Sequence, residues 1–241
     1  MNVVVLADPP AVARAAADRV AARLAARPDA VLALPTGETP TALYRELVRR
    51  RRDEGLTFAR ATTFNLDEYV GLGADDPRSC AAYLAEHLFR HVDLDPSRRH
   101  LLDGRAPDLA AECARYEALL ARRPVDLAVL GIGRNGHVAF NEPGAPPDGR
   151  TAVVALAPAT RAVNARLYPP GTTLPDRGIT MGLGTIGDAE ELLLVAFGAA
   201  KADAIRAALA GPVDAACPAS MLRAHARLEV LVDRAAAAGL A

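Results

Sequence analysis

Short apolar runs alternate with amphipathic segments along this chain of 241 residues, and no other feature limits its fold as strongly. Strands that are separated by helices pair in parallel and are covered by helices on both faces. The sequence therefore predicts an α/β fold in which a mostly parallel, doubly wound sheet forms one domain over residues 1–241. Predicted strands lie at 2–6, 30–34, 61–65, 125–131, 151–156, 191–197 and 228–232, and predicted helices lie at 9–27, 40–53, 78–91, 107–122 and 199–210.

Composition narrows the class of partner. A hydrophobic content of 51% is ample for a full core, and a formal net charge of -1 gives little attraction for nucleic acid or an anionic membrane. No pattern of a signal peptide or a membrane span occurs, and the three cysteines are too few and too widely spaced for a disulfide framework. We therefore expect a cytoplasmic protein whose partner is a small molecule.

The most informative loop follows the apolar run 125–130 and reads Gly-Ile-Gly-Arg-Asn-Gly-His-Val-Ala-Phe-Asn-Glu-Pro-Gly over residues 131–144. Ligands of open α/β sheets bind at the carboxyl ends of the strands, where this loop begins. Its glycines at 131, 133 and 136 are expected to adopt positive φ and to approach a ligand closely. His137 supplies a proton acceptor near neutral pH and Glu142 a carboxylate that orients it, so the loop predicts acid–base catalysis.

Two further loops follow predicted strands. Leu34-Pro-Thr-Gly-Glu-Thr-Pro40 precedes a helix, and its N–H groups and hydroxyls can bind a phosphate, although a simple helix cap by Thr39 has the same pattern. The run 64–69 carries Asp67 and Glu68 at the end of another strand. Either carboxylate can act as a general base there, or the pair can simply cap the following loop.

Two cations complete the candidate site. Lys201 is the only lysine among 28 basic residues, which indicates a position that an arginine cannot fill, or else chance. Arg166 can add paired donors to a phosphate clamp, or it can form a surface salt bridge. It lies in the segment 151–168, which Pro/Gly clusters at 143–149 and 169–178 bracket, and we predict that residues near 151–178 form a mobile lid.

In order and spacing, these motifs resemble the glucosamine-6-phosphate deaminase family from about residue 30 to 232. The resemblance implies a Rossmann-like fold and conversion of glucosamine 6-phosphate and water into fructose 6-phosphate and ammonia, with no metal or other cofactor. The matching segments are Leu34-Pro-Thr-Gly-x-Thr-Pro40, Phe64-Asn-x-Asp-Glu-Tyr-Val-Gly-Leu72, Gly131-x-Gly-x-Asn-Gly-His-x-Ala-Phe-Asn-Glu-Pro143, Arg166 and Lys201.

The resemblance also implies roles for individual residues. Asp67 matches the base that carries a proton from C2 to C1 of the sugar. His137 matches the group that assists opening of the pyranose ring, with Asn135 and Glu142 holding its imidazole. The positions that match the phosphate-binding residues are Thr36, Gly37, Glu38, Thr39, Arg166 and Lys201.

The chain departs from the family pattern at three places, and each departure leads to an expectation. Asn135 stands where many members have Asp, so we expect an altered pH dependence, because an amide orients an imidazole without stabilising its cation. Glu38 stands where members have Gly or Ser, so its side chain is expected to turn away from the phosphate. Members that respond to N-acetylglucosamine 6-phosphate resemble Arg-Thr-Arg-Ile-Lys where this chain has Arg150-Thr-Ala-Val-Val154, which implies an enzyme without that control.

Three alternatives stay open. Galactosamine 6-phosphate differs from the implied substrate in the configuration of one hydroxyl, and nothing in the sequence excludes it. A 6-phosphogluconolactonase resembles Asp-Gly-His followed by Thr-Ala-Ser-Leu-Phe-Pro, whereas Val138-Ala-Phe-Asn-Glu-Pro143 follows here. A non-catalytic sensor is expected to lose Asp67 or His137, which this chain keeps. The sequence does not indicate whether the protein is a monomer or a homo-oligomer.

Overall fold

A computed structural model describes residues 1–240 of the chain and contains ten strands. Seven of them form a parallel sheet in the order β1-β10-β9-β6-β2-β3-β5. The mostly parallel sheet that the alternation predicts is thereby confirmed. The strands are β1 (Asn2–Leu6), β2 (Val31–Leu34), β3 (Thr62–Asn65), β4 (Asp67–Tyr69), β5 (Arg99–His100), β6 (Leu127–Leu130), β7 (Ala152–Ala155), β8 (Arg177–Thr180), β9 (Glu191–Ala196) and β10 (Leu228–Asp233).

Helices cover the sheet on both faces. Along β2, Val31 packs into the core on one face and Leu32 into the core on the other, as the period of two in a strand requires. Since both faces are buried, the central strands are apolar throughout. The helices are α1 (Pro9–Ala26), α2 (Glu38–Asp53), α3 (Cys80–Leu84, continued by a π-helical turn, Ala85–Phe89), α4 (Leu109–Arg122), α5 (Pro158–Asn164), α6 (Leu183–Gly187), α7 (Ala202–Ala210) and α8 (Pro218–Met221).

Side-chain caps set the beginning of two long helices. Asp8 accepts a hydrogen bond from the Ala11 N–H at 2.8 Å before α1, and Asp108 accepts from Ala110 and Ala111 before α4. Such caps satisfy N–H groups that have no partner inside the helix. Helix α2 begins without a side-chain cap, which leaves the N–H groups of its first turn available to another acceptor.

The remaining strands form a small antiparallel sheet in the order β4-β8-β7. The strand predicted at 151–156 exists as β7, but the expectation that it belongs to the main sheet is wrong. It pairs with β8, with Val153 opposite Ile179, and β8 pairs with β4, with Asp67 opposite Thr180. The segment that follows β7 packs above this sheet on a separate apolar cluster that includes Tyr69, Phe140 and Leu156.

The strand order reverses between β2 and β6. From β2 the chain continues outward to β3 and β5, and from β6 it continues in the other direction to β9 and β10. Loops on the two sides of such a reversal separate and leave a crevice at the carboxyl edge of the sheet. None of the helices described in residues 1–240 combines the length and hydropathy that a membrane crossing needs.

Candidate active site

Four neighbouring strands end at this crevice, and each carries one group of predicted site residues. Strand β9 leads to Lys201, β6 to the His137 loop (131–144), β2 to the Thr36 loop (35–39), and β3 to Asp67. Since these strands are parallel and adjacent, their carboxyl ends lie at one edge of the sheet. The topology thus brings groups that are up to 165 positions apart to one place.

The imidazole of His137 is oriented by the amide of Asn135. Nδ1 of His137 lies 2.8 Å from Oδ1 of Asn135, and the Asn135 amide nitrogen donates to Glu142 Oε2 at 2.7 Å. Because an amide oxygen only accepts hydrogen bonds, the ring carries its proton on Nδ1. Nε2 is therefore the acceptor, and it is the nitrogen that remains for a substrate.

Glu142 holds its charge beside this ring. Its Oε2 lies 3.6 Å from Nδ1 of His137, and its Oε1 accepts from the Ala157 N–H at 3.2 Å. Burial acts to raise the pKa of Glu142, but hydrogen bonds from His137, Thr160 and Asn135 outweigh it and lower the pKa to about 2. A permanent carboxylate thus stands ready to stabilise a protonated imidazole, as expected for a chain with Asn135.

The glycines of the His137 loop have different roles from those predicted. Positive φ is found at Gly136 (83°), while Gly131 and Gly133 do not have it, so that expectation is wrong for two of the three. A Cβ on Gly133 would lie 2.2 Å from the imidazole of His137, so this glycine allows the ring to pack directly on the backbone. Ala139 is left-handed at φ 51°, in the tight turn where Asn141 N donates to Val138 O.

Asp67 is a buried carboxylic acid in the crevice. Only 5% of the residue is exposed, and within residues 1–240 its carboxylate forms no ion pair shorter than 4 Å. Burial raises the pKa of Asp67 to about 6, while a hydrogen bond from Cys80 and the charge of His137 act in the opposite direction. Asp67 and the His137 loop follow β3 and β6, the strands on either side of β2, at the carboxyl edge of the sheet. A carboxylate with a pKa near neutral is a competent general base.

Glu68 has a different task from its neighbour. Its carboxylate accepts from the backbone N–H groups of Tyr69, Cys80 and Ala81 at 2.8 to 2.9 Å, two of which belong to the beginning of α3. Burial raises the pKa of Glu68 to about 7, with these three bonds acting against the shift. Capping, which the sequence left open for both acids, is confirmed for Glu68, whereas Asp67 makes no such bond to α3.

The Thr36 loop leads directly into α2. Gly37 has a φ of 122°, which favours glycine, and its carbonyl accepts from the hydroxyls of Thr41 and Tyr83. The helix begins at Glu38, two residues earlier than predicted, so Thr39 lies inside the first turn. The alternative interpretation, in which Thr39 caps the helix, is therefore wrong. The uncapped N–H groups at the positive end of a 16-residue helix suit an anion.

Lys201 lies in the 3-10 turn Ala199–Lys201, which follows β9. Its Nζ donates to the Ile132 carbonyl of the His137 loop at 2.6 Å. Burial lowers the pKa of Lys201, and Arg134 acts in the same direction, while Glu38 of the Thr36 loop acts against them. The ammonium thus contacts the His137 loop, and a clamp that joins it to the Thr36 loop stays a prediction.

Two of the predicted phosphate-binding residues, Glu38 and Arg166, are exposed. The Glu38 side chain is exposed, which agrees with an outward orientation, although its charge still reaches Lys201. Arg166 is exposed on the 3-10 turn Ala165–Leu167 after α5, and within residues 1–240 it forms no ion pair. The place of Arg166 in the clamp stays a prediction.

Sequence reasoning missed two side chains of the crevice. The hydroxyl of Thr160, on α5, lies 3.4 Å from Nδ1 of His137, and the thiol of Cys80 lies 3.4 Å from Oδ1 of Asp67. No spacing in the sequence connects either residue to its partner, because the contacts depend on how α3 and α5 pack. In the described part of the chain, no three His, Cys, Asp or Glu side chains are grouped as metal ligands.

Relatives of this chain match it over nearly its whole length. A glucosamine-6-phosphate deaminase of Bacillus velezensis is 45% identical over 240 residues, which are 99% of this chain and 100% of that protein. Another, of Cellvibrio japonicus, is 46% identical over 241 residues, which are 100% of this chain and 92% of that protein. Sequence identities this high over nearly the whole chain show that the three proteins belong to one family.

Solved structures agree with the fold. A monomeric glucosamine-6-phosphate deaminase superimposes with a TM-score of 0.96 at 43% identity, over 99% of this chain and 100% of that chain. The 6-phosphogluconolactonase of Leishmania guyanensis superimposes with a TM-score of 0.79 at 24% identity, over 100% and 98%, and shows the fold alone. The family model of glucosamine-6-phosphate isomerases/6-phosphogluconolactonase matches residues 7–231. The chain therefore belongs to that family.

Proposed function

We propose that this protein converts glucosamine 6-phosphate and water into fructose 6-phosphate and ammonia. One observation carries the proposal: a buried carboxylate, Asp67, whose pKa burial raises to about 6, lies at the same edge of the sheet as the loop in which Asn135 orients the imidazole of His137. This pair supplies the two proton-transfer groups that an isomerising deamination needs. The names of the relatives that match nearly the whole chain support the same reaction.

Ring opening is assigned to His137. The free Nε2 accepts the proton of the anomeric hydroxyl, and the resulting imidazolium donates a proton to the ring oxygen as the C1–O5 bond breaks. The cationic stage is stabilised by Glu142, which lies 3.6 Å from Nδ1, and the ring is kept in position by Asn135. One imidazole therefore both accepts and donates, as opening a hemiacetal requires.

Proton transfer between carbons is assigned to Asp67. Its carboxylate removes the C2 proton of the open aldehyde form while O1 takes up a proton, which gives an enolamine with a C1–C2 double bond. The carboxyl group then returns its proton to C1 as the amino nitrogen gives up the equivalent of the proton that O1 received, so that C1 becomes a hydroxymethyl group and a carbon–nitrogen double bond remains at C2. Water then adds at C2, and ammonia leaves. The reaction thus combines an isomerisation with a hydrolytic step, and a single carboxylate that reaches both carbons is sufficient for the transfer.

The phosphate is assigned to the part of the crevice between Lys201 and the beginning of α2. Lys201 supplies a point charge, and the N-terminus of α2 supplies N–H groups, together with the Thr36 and Thr39 hydroxyls and the backbone of Gly37 and Glu38. Binding energy at this end holds C2 against Asp67. Arg166 joins the phosphate when the lid near 151–178 closes, a movement that brings an exposed guanidinium inward.

The proposed enzyme does not respond to N-acetylglucosamine 6-phosphate. Arg150, the remaining cation of the motif at 150–154, donates to Glu117 through Nε and Nη2 and to Asp188 through Nη1. A guanidinium that is committed to two carboxylates is not available to a phosphate. Adding this compound is expected to leave the substrate concentration at half-maximal rate unchanged, and a measurable fall would contradict the proposal.

The reaction is tested by ammonia release from glucosamine 6-phosphate and galactosamine 6-phosphate, beside hydrolysis of 6-phosphogluconolactone. We expect ammonia and fructose 6-phosphate from the first substrate and no lactone hydrolysis above background. Faster ammonia release from galactosamine 6-phosphate would make that compound the substrate in place of glucosamine 6-phosphate. Lactone hydrolysis without ammonia release would replace the proposed reaction, and tight binding without any turnover would indicate a sensor.

A further inference from the structure

Cys80 connects two parts of the crevice that the proposed reaction treats separately. Its thiol donates to Oδ1 of Asp67 at 3.4 Å, and its sulfur accepts from the hydroxyl of Thr36 at 3.5 Å. The residue is 2% exposed, so these contacts are shielded from water. A chain of hydrogen bonds therefore runs from the Thr36 loop to the buried acid.

The chemistry of this thiol limits what it can do. Burial raises the pKa of Cys80 well above its ordinary value, and the carboxylates of Glu68 and Asp67 act in the same direction. A thiol of this kind stays protonated and is a poor nucleophile. Its remaining capacity is that of a weak S–H donor, and in the described part of the chain Cys80 is the one side chain that donates to the Asp67 carboxylate.

The surroundings of Asp67 contain few other charges. Cys80 approaches from α3 and His137 from its loop, and both lower the pKa of the acid. The other titratable side chains that interact electrostatically with Asp67 are neutral phenols and one capping carboxylate, namely Tyr44 of α2, Tyr69 and Glu68 of β4, and Tyr116 of α4. Removing the thiol thus removes one of the two groups that favour the ionised base.

We propose that Cys80 is a positioning residue that holds the Asp67 carboxylate and links it to the hydroxyl of Thr36. The inference rests on the proposed function, in which Asp67 is the base and Thr36 lies at the phosphate. Because hydrogen bonds in a chain strengthen one another, donation from Thr36 to the sulfur makes the S–H a better donor to Asp67. The state of the Thr36 loop is thereby transmitted to the base.

The link is tested without substrate by carboxyl-carbon NMR titration of Asp67, with its resonance assigned by its loss in Asp67→Asn. Cys80→Ala is expected to raise the pKa of Asp67 by about half a unit to one unit, as loss of one weak hydrogen bond implies. Cys80→Ser keeps a donor and restores most of the value. Thr36→Val leaves the thiol in place and gives a smaller shift in the same direction, which preserves the test if Cys80→Ala does not fold.

Cys113→Ala is the matched control, because this buried thiol lies on α4 and belongs to a different part of the core. It is expected to leave the pKa of Asp67 unchanged. Equal titration of Asp67 in the wild type, Cys80→Ala and Thr36→Val would overturn the inference. The acidic limb of kcat/KM for ammonia release is then measured in the same variants. If the NMR shift occurs but the wild type releases no ammonia, the proposed reaction fails and the link stands; ammonia release without any shift rejects the link alone.

Discussion

The two edges of the central sheet differ in whether their charged side chains form ion pairs. At the amino edge, the first residues of β1, β6, β9 and β10 line a cavity of about 450 Å3. Cations there are paired with acids: Arg19 with Glu229, Arg23 with Glu191, and Arg227 with Glu190. At the carboxyl edge, within residues 1–240, neither the buried Asp67 nor the half-buried Lys201 forms an ion pair.

Burial of an unpaired charge costs free energy. Such groups, with shifted pKa values, therefore occur mainly at functional sites. The charged side chains that line the cavity at the amino edge are all paired, whereas the carboxyl edge has an acid and an ammonium whose pKa values are shifted toward neutrality. Unpaired buried groups therefore locate this site better than cavity volume does. The following variants test that difference.

The largest effect is expected from Asp67→Asn. Loss of the base lowers kcat for ammonia release by about 10²- to 10⁴-fold. Stability changes in the opposite direction: since burial raises the pKa of Asp67 from 3.8 to about 6, the folded state binds the proton more tightly, and wild-type stability falls as the pH rises from about 4 through 6. The variant is therefore expected to have the higher Tm at pH 7.5 and a Tm similar to that of the wild type near pH 4.

Glu68→Gln is the matched control for this variant. The Glu68 carboxylate now accepts hydrogen bonds from three backbone N–H groups. In the variant an amide nitrogen, which cannot accept, would face at least one of these donors, so Tm is expected to fall. The kcat of the folded fraction should remain within about threefold of the wild type, far below the effect of losing a general base. A Glu68→Gln variant that folds but is as inactive as Asp67→Asn would contradict the division of roles between the two acids.

Lys201→Met is expected to act on substrate binding. Hydrogen bonds to charged groups contribute about 1.5–3 kcal/mol, so KM for glucosamine 6-phosphate should rise by roughly 10- to 100-fold. Removing a half-buried ammonium should also leave Tm equal to or above the wild-type value. Arg227→Met, at the amino edge, provides the control, and an equal rise of KM in both variants would remove the distinction between the edges.

Asn135→Asp tests how the imidazole is supported. A second carboxylate beside His137 favours the protonated ring, so the pH–rate profile of kcat/KM should move to higher pH by about one unit. The rate at the optimum is expected to change little, because Glu142 already supplies a negative charge 3.6 Å from Nδ1. A profile identical to that of the wild type would show that Asn135 does not control the charge of the ring.

The smallest effect is expected at the amino edge. Arg19→Ala removes a partly exposed pair with Glu229, and such pairs contribute about 0–1 kcal/mol to the free energy of unfolding. Ammonia release should stay at the wild-type rate, which urea unfolding and the activity assay check together. A clear loss of activity in this variant would mean that the cavity belongs to the site after all.

Much of the sheet and the site followed from local sequence. The patterns near 30–34, 61–65 and 125–131 mark β2, β3 and β6 because buried parallel strands are continuously apolar and polar loops follow them. The small sheet could not be predicted, since β4 has three residues, two of them acidic, and pairs with a strand more than a hundred positions away. Cys80 and Thr160 were missed for the same reason: their partners are set by tertiary packing alone.

A crystal structure of Asp67→Asn with glucosamine 6-phosphate shows directly whether the sugar phosphate binds at the carboxyl edge. The variant blocks turnover while it keeps the shape of the side chain. We predict that the phosphate lies within hydrogen-bond distance of Lys201 Nζ and the N–H groups at the start of α2, with C2 beside residue 67 and the ring oxygen near Nε2 of His137. Sugar phosphate bound in the amino-edge cavity, or a phosphate away from Lys201, would show that the crevice is not the substrate site.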